Sequence, residues 1–295
     1  MTTLTGKNVL LTGASRGIGR VLGQAIAAQG ATVVGIARSQ SGLDDWCEEI
    51  TDAGGTACGI AWDLSDIGSL PALINQVESQ VGSVDVLINN AGIEIYKAFQ
   101  DYAASELQTV ININLLAAME LTRLVLPKMI SRRSGHVVNI ASNAAKKGHP
   151  FDSAYSASKA GLLMWADAIR QELVNTGVAI STICPGYVEQ CGMMVDTGIP
   201  APKLAGTSTP EAVVTAVIQA INHNQAEVMV NKDIVSTSIT KLLFALCQLS
   251  PGLGDAVYRL IGIPQLNQLR IQQKLKQQQQ STKELIGNRI KTTSS

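Results

Sequence analysis

From Asn8 to about Asn231 the chain alternates between short apolar runs and longer stretches with apolar residues at helical spacing. The runs are Asn8–Thr12, Ala31–Ala37, Ala57–Ala61, Val84–Asn89, His136–Ala141, Val178–Cys184 and Glu227–Asn231. The helical stretches lie near Gly17–Gln29, Leu43–Asp52, Ile67–Gln80, Ala104–Met129, Ser153–Asn175 and Glu211–Asn222. Continuous apolar runs, rather than alternating ones, mark strands buried on both faces. Joined by helices, such strands lie parallel, with right-handed crossovers. The pattern therefore predicts an α/β protein built on a doubly wound parallel sheet. Thr209 and Pro210 fit the N-cap and first turn of the last of these helices.

The first strand runs into Thr12-Gly13-Ala14-Ser15-Arg16-Gly17-Ile18-Gly19 and then into the first helix. Glycines at such a turn let the backbone approach a pyrophosphate, and the helix N-terminus favours its negative charge. Tyr155 and Lys159 stand four apart on one predicted helix, so a phenol and an ammonium share a face. A nearby cation favours the phenolate, and a tyrosine tuned in this way exchanges a proton with a carbonyl or alcohol oxygen. Taken alone, Tyr-x-x-x-Lys is a short pattern that many helices contain, and the glycine turn is what gives it context.

The spacing Gly-x-x-x-Gly-x-Gly together with Tyr155 and Lys159 resembles the short-chain dehydrogenase/reductase family. Asp63, Asn89-Asn90-Ala91-Gly92, Asn114, Ser142 and Pro185-Gly186 match that family's pattern in order, over roughly residues 5 to 231. The resemblance implies a Rossmann-like catalytic domain and hydride transfer between a nicotinamide cofactor and a carbonyl or secondary alcohol. It implies Tyr155 as the proton donor, Ser142 polarising the carbonyl, and Lys159 lowering the Tyr155 pKa and binding the nicotinamide ribose. Asn114 would hold a water that links Lys159 to solvent. The implied cofactor set is Gly13, Ser15, Arg16, Gly17, Ile18 and Gly19 of the turn, with Asp63 and Leu64 at the adenine. Asn89, Ala91, Gly92, Pro185, Gly186 and Val188 would shape the remaining wall. Ala37 stands where many members carry an acid for the ribose hydroxyl, and Arg38 follows it, with Arg16 in the turn. Two guanidinium groups suit a 2′-phosphate, so the expected cofactor is NADP(H). Gln190 replaces the usual threonine at the nicotinamide carboxamide, and Ala141 replaces a second serine. The alternatives are a non-catalytic NADP-binding regulator and a sugar-nucleotide epimerase, which shares Tyr-x-x-x-Lys but differs in glycine spacing.

Lysine plus arginine balance aspartate plus glutamate, 23 against 23, so nothing global points to nucleic acid. Cys47, Cys58, Cys184, Cys191 and Cys247 read as free thiols of a reducing, cytoplasmic compartment, and the N-terminus lacks a signal-peptide pattern. His136, His149 and His223 lack metal-site spacing, and His149 is expected to line a loop or pocket. Met193, Met194, Val195, Ile199 and Leu204 suggest an apolar substrate lid and a fairly hydrophobic small-molecule substrate. The domain boundary is placed at residues 233/234. Beyond it, Ile239, Leu242, Leu243, Leu246 and Leu249 form an apolar helical stripe too interrupted to span a bilayer. That stripe is expected to pack on the substrate region or a second subunit, or otherwise to rest on a membrane surface. The tail from Pro264 carries Arg270, Lys274, Lys276, Lys283, Arg289 and Lys291 against Glu284 and a Gln277–Gln280 run. It is expected to be a weak helix or disordered. By resemblance the chain is expected to be a homo-oligomer through its 104–129 and 153–175 helices.

Overall fold

The computed structural model describes residues 3–202 and 206–293, with side chains as far as residue 280 except 278. Strand β1 (Asn8–Thr12), helix α1 (Gly17–Ala27), β2 (Thr32–Ala37), α2 (Gln40–Asp52), β3 (Thr56–Ala61), α3 (Leu70–Val81) and β4 (Val86–Asn89) form the first half. The second half contains α4 (Ala104–Ile111), α5 (Ala117–Ser131), β5 (Gly135–Ile140), α6 (Ser153–Glu172) and β6 (Val178–Pro185). After these come the two-residue strands β7 (Tyr187–Val188) and β8 (Thr207–Ser208), the four-residue helix α7 (Met193–Asp196), α8 (Pro210–His223) and β9 (Glu227–Val230). Three helices follow: α9 (Ile234–Leu249), α10 (Pro251–Leu260) and α11 (Ile263–Thr293).

The central sheet has seven strands in the order β3-β2-β1-β4-β5-β6-β9, all parallel. Successive side chains point to opposite faces, and both faces are covered. Val9 and Leu11 of β1 pack with Leu22, Trp46 and Val217, from α1, α2 and α8. Leu10 between them packs on the other face with Leu73, Leu121 and Ala166, from α3, α5 and α6. The order reverses at β1, where β2 lies on one side and β4 on the other. That reversal opens a crevice at the carboxyl ends of the strands. Thr209 caps α8 as expected, accepting from the Ala212 N–H at 3.2 Å.

Two regions show more than the sequence expectation. The stretch read as one helix near 104–129 is helical from Ala104 to Ser131 and includes a wide π-helical turn over Asn112–Leu116. The tail, expected to be a weak helix or disordered, is helical, and its first turns are docked: Asn267 and Arg270 are fully buried. The reason is specific polar contact: Asn267 Nδ2 donates to the Pro150 carbonyl at 2.7 Å, and Arg270 donates to the Pro200 carbonyl at 3.1 Å. The side chains of Lys283, Glu284, Arg289 and Lys291 lie outside the described side chains. The stripe of α9 is divided: Leu243 and Phe244 face inward to the crevice, whereas Leu242 and Leu249 are 64% and 83% exposed.

Candidate active site

The crevice holds a cavity of about 310 Å³ that runs from the glycine turn to the α6 N-terminus. Its first part is a cradle for a phosphate group. Gly13 has φ +71°, and a Cβ there would come within 2.9 Å of Asn90. At Gly19 a Cβ would sit 2.0 Å from the Gly13 carbonyl oxygen, so no larger residue fits. The α1 N-terminus has no side-chain cap and no acidic residue in its first turn, which leaves its N–H groups available to an anion. These features fit a dinucleotide pyrophosphate.

The structure brings most of the sequence-selected residues to this cavity. Gly13, Ser15, Arg16, Gly17, Ile18 and Gly19 line it, as do Arg38, Asp63 and Leu64. Ala91, Gly92, Pro185, Gly186 and Val188 form further wall, and Ser142, Tyr155 and Lys159 stand at the far end. Asp63 also closes the turn after β3, accepting from the Ser65 N–H at 2.9 Å, a bond that lowers its pKa, Arg38 adding a smaller electrostatic pull. Arg16 pairs with Asp196 of α7 at 2.6 Å, tying the glycine turn to that short helix, with both side chains largely exposed.

Two of the selected residues, Asn89 and Asn114, do not line the cavity, and neither does Gln190. Asn89 points away, bridging β4 to β5 through Asn139 at 2.9 Å, because consecutive strand residues face opposite sides. Its neighbour Asn90 reaches the cavity and locks the glycine turn, donating to Thr12 O at 2.9 Å and Gly13 O at 3.2 Å. Gln190 is exposed at φ +72° and outside the lining, where Cys191 and Gly192 stand instead. Asn114 lies behind the wall, 1% exposed. Its amide brackets Ile93, accepting from the N–H and donating to the carbonyl at 2.8 Å each, and donates to Ser158 Oγ at 3.0 Å. The wide turn after α4 carries Asn114, and turns of this kind recur at functional sites. Met193 and Met194 line the cavity; Leu204 lies outside the described residues.

At the far end, Lys159 Nζ donates to the Ile140 carbonyl at 2.8 Å, beside Ser142, and lies 5.7 Å from the Tyr155 ring centre. Burial lowers the Lys159 pKa to about 8, with Cys184 and Glu94 pulling it back. Sequence reasoning expected Lys159 to lower the Tyr155 pKa. In the structure burial raises Tyr155 well above its ordinary value, Glu94 adds to this, and Ser142 opposes it. The phenol is therefore held protonated.

The cavity also has a polar wall, of which only His149 was expected from the sequence. Glu94, Tyr96, His149, Asp152, Tyr187 and Tyr258 line the cavity, as do the apolar Met193, Met194, Leu243 and Phe244. His149 stacks on Tyr187 at 5.9 Å and meets Tyr258 edge-on at 5.7 Å, and burial lowers its pKa to about 4. The buried Arg270 guanidinium stands 5.4 Å from the rings of both Tyr96 and Tyr187. Among the described residues no cluster of three histidine, cysteine or acidic side chains is arranged to hold a metal.

Comparison with known proteins agrees with this arrangement. The short chain dehydrogenase family model matches residues 7–198. The ketoacyl reductase HetN of Nostoc sp. is 55% identical over 276 residues, covering 94% of this chain and 96% of that protein. The 3-oxoacyl-acyl-carrier-protein reductase FabG of Vibrio harveyi is 33% identical over 186 residues, covering 63% and 75%. Among solved structures, a metagenomic short-chain oxidoreductase crystallised with NADP is 31% identical with a TM-score of 0.69, covering 79% of this chain and 100% of that one. The HetN match extends well past residue 234, whereas the FabG match is confined to a shorter segment. With a family match from residue 7 to residue 198 and relatives of this kind, the chain belongs to the short chain dehydrogenase family of oxidoreductases.

Proposed function

We propose that the chain is an NADPH-dependent carbonyl reductase that acts on a ketone or 3-oxoacyl substrate. The observation that carries this reading is the convergence, in one cavity, of an uncapped glycine cradle with Ser142, Tyr155 and Lys159. Gly13 to Gly19 would hold the pyrophosphate, Asp63 and Leu64 the adenine, and Arg38 with Arg16 the 2′-phosphate. Bound there, the cofactor supplies the hydride. Tyr155, held protonated by burial, donates the proton to the carbonyl oxygen. The Ser142 hydroxyl orients that oxygen, and Lys159, fixed on Ile140, places a positive charge beside the phenol. Asn114 holds Ile93 and Ser158 and so keeps the wall and the Tyr155 helix in register. HetN and FabG are named for ketoacyl and oxoacyl reduction, which supports the substrate class.

The same reading includes a cytoplasmic homo-oligomer in which residues 1–233 form the catalytic domain. Residues 234–295 then form an extension that closes the substrate end, and the outward row of α9 meets a second subunit or a lipid surface. The test is NADPH oxidation against a graded panel of ketones and 3-oxoacyl thioesters, with Tyr155→Phe as the control. Turnover that disappears in Tyr155→Phe while NADPH still binds is the expected result. NADPH binding without turnover on any carbonyl would favour a regulatory protein instead.

A further inference from the structure

The cavity wall near Tyr155 carries two carboxylates that the proposed chemistry does not use. Glu94 lies on the segment after β4, and Asp152 precedes Tyr155 by three residues; both line the cavity. Residues three apart at a helix start have Cβ atoms about 5–6 Å apart, so Asp152 lies within one turn of the proposed proton donor. Asp152 is 1% exposed, and its Oδ1 has no hydrogen-bond partner. It occupies the N-cap of α6, where an aspartate ordinarily turns its carboxylate onto the helix's own N–H groups. Here it makes no such bond. A buried acceptor left without a donor is unfavourable unless something supplies one.

The charges around the pair say what kind of donor fits. Arg270 of α11 is fully buried behind Tyr96, and Lys274 Nζ lies 3.3 Å from the Glu94 carbonyl oxygen. Burial raises both Glu94 and Asp152 above the usual carboxylate range and Glu94 raises Asp152 further, while the two cations pull both back. Two acids held close in a buried wall do not both carry full charge. The wall offers acceptor oxygens without a large net negative field, which favours a neutral donor over an ammonium.

We propose that Glu94 and Asp152 form a specificity site that receives a neutral hydrogen-bond donor, a hydroxyl or an amide N–H, carried by the substrate within a few bonds of its reacting carbonyl. The proposal rests on the reductase reading above and narrows its substrate class, away from plain hydrocarbon ketones and toward hydroxylated or amide-bearing ones.

The test uses the full chain, NADPH and a matched pair, a β-hydroxyketone and its methyl ether, which keeps the shape but removes the donor. The wild type should favour the hydroxyketone in kcat/KM by at least about tenfold. Asp152→Ala should remove most of that preference, the ratio of the two kcat/KM values falling toward one. Asp152→Asn, which keeps one acceptor oxygen and the shape, should retain part of it. Equal rates on the two substrates in the wild type, or an equal loss on both in Asp152→Ala and Asp152→Asn, would overturn the specificity site and leave the reductase reading standing. NADPH binding with no reduction of either compound or of the wider carbonyl panel would overturn both.

Discussion

The Lys159 ammonium lies 5.7 Å from the centre of the Tyr155 ring while one of its protons is committed to the Ile140 carbonyl at 2.8 Å. The lysine is thus a fixed charge at the end of β5 and not a freely moving partner of the phenol. Its pKa is lowered to about 8 by burial, so its charge is present below that pH and is lost as pH rises through it. Tyr155 stays protonated over the same window because burial raises it. Reductive kcat/KM should therefore be level near neutrality and fall above about pH 8. Lys159→Met should lower the rate at neutral pH and abolish this limb. A limb that persisted in Lys159→Met would assign the ionisation to another group.

Arg38 is an exposed cation lining the cavity with Asp63 and Leu64, whereas Arg16 is engaged by Asp196. An exposed pair of this kind is weak, so Arg16 remains available to a phosphate. Arg38→Ala should reduce kcat/KM for NADPH by about tenfold or more, equivalent to ~1.4 kcal/mol, with little effect on NADH. An equal loss with both cofactors would remove Arg38 from 2′-phosphate recognition.

Much of this site was legible in the sequence because its parts are tied to strand ends. Gly13, Ser142 and Pro185 each sit where an apolar run stops, and parallel strands bring those stops to one edge. Residues whose placement depends on which face of a strand they occupy were harder to read, as with Asn89 and Asn90. The wall made by Glu94 and Asp152, with Arg270 behind its tyrosines, was not legible. The three residues are far apart in the chain, and Arg270 lies in a polar, glutamine-rich segment whose composition shows no apolar stripe to predict docking. Its burial comes from individual hydrogen bonds to the carbonyls of Pro150, through Asn267, and of Pro200.

Arg270 supports two tyrosines that face the cavity but does not line it, so it acts as a positioning residue. Arg270→Ala should raise the KM for the carbonyl substrate by about tenfold while changing NADPH affinity by no more than about twofold. Arg270→Met restores volume without charge and should recover part of the loss. A fall in kcat at unchanged KM would contradict this role, and initial rates at saturating NADPH distinguish the two.

His136 gives a prediction about stability that is independent of the reaction. Its Nε2 lies 2.9 Å from Ser181 Oγ, and that hydroxyl donates to the Gln225 carbonyl at 2.6 Å, so Nε2 carries the proton and donates it. The other ring nitrogen, Nδ1, is buried without a partner. A second proton would have to sit there, in a buried position with Arg170 nearby, and these two effects, burial first, lower the pKa to about 4. The unfolded chain takes up that proton near the ordinary value of 6.5, whereas the folded chain does so only near 4. The stability contributed by neutral His136 is therefore complete above about pH 6.5 and is lost as pH falls toward about pH 4. The loss is on the order of 3 kcal/mol at most. Urea unfolding midpoints should fall over this window in the wild type, and the fall should be shallower in His136→Gln, whatever that variant's stability at neutral pH. An unchanged slope would mean that other groups, His149 among them, carry the acid sensitivity.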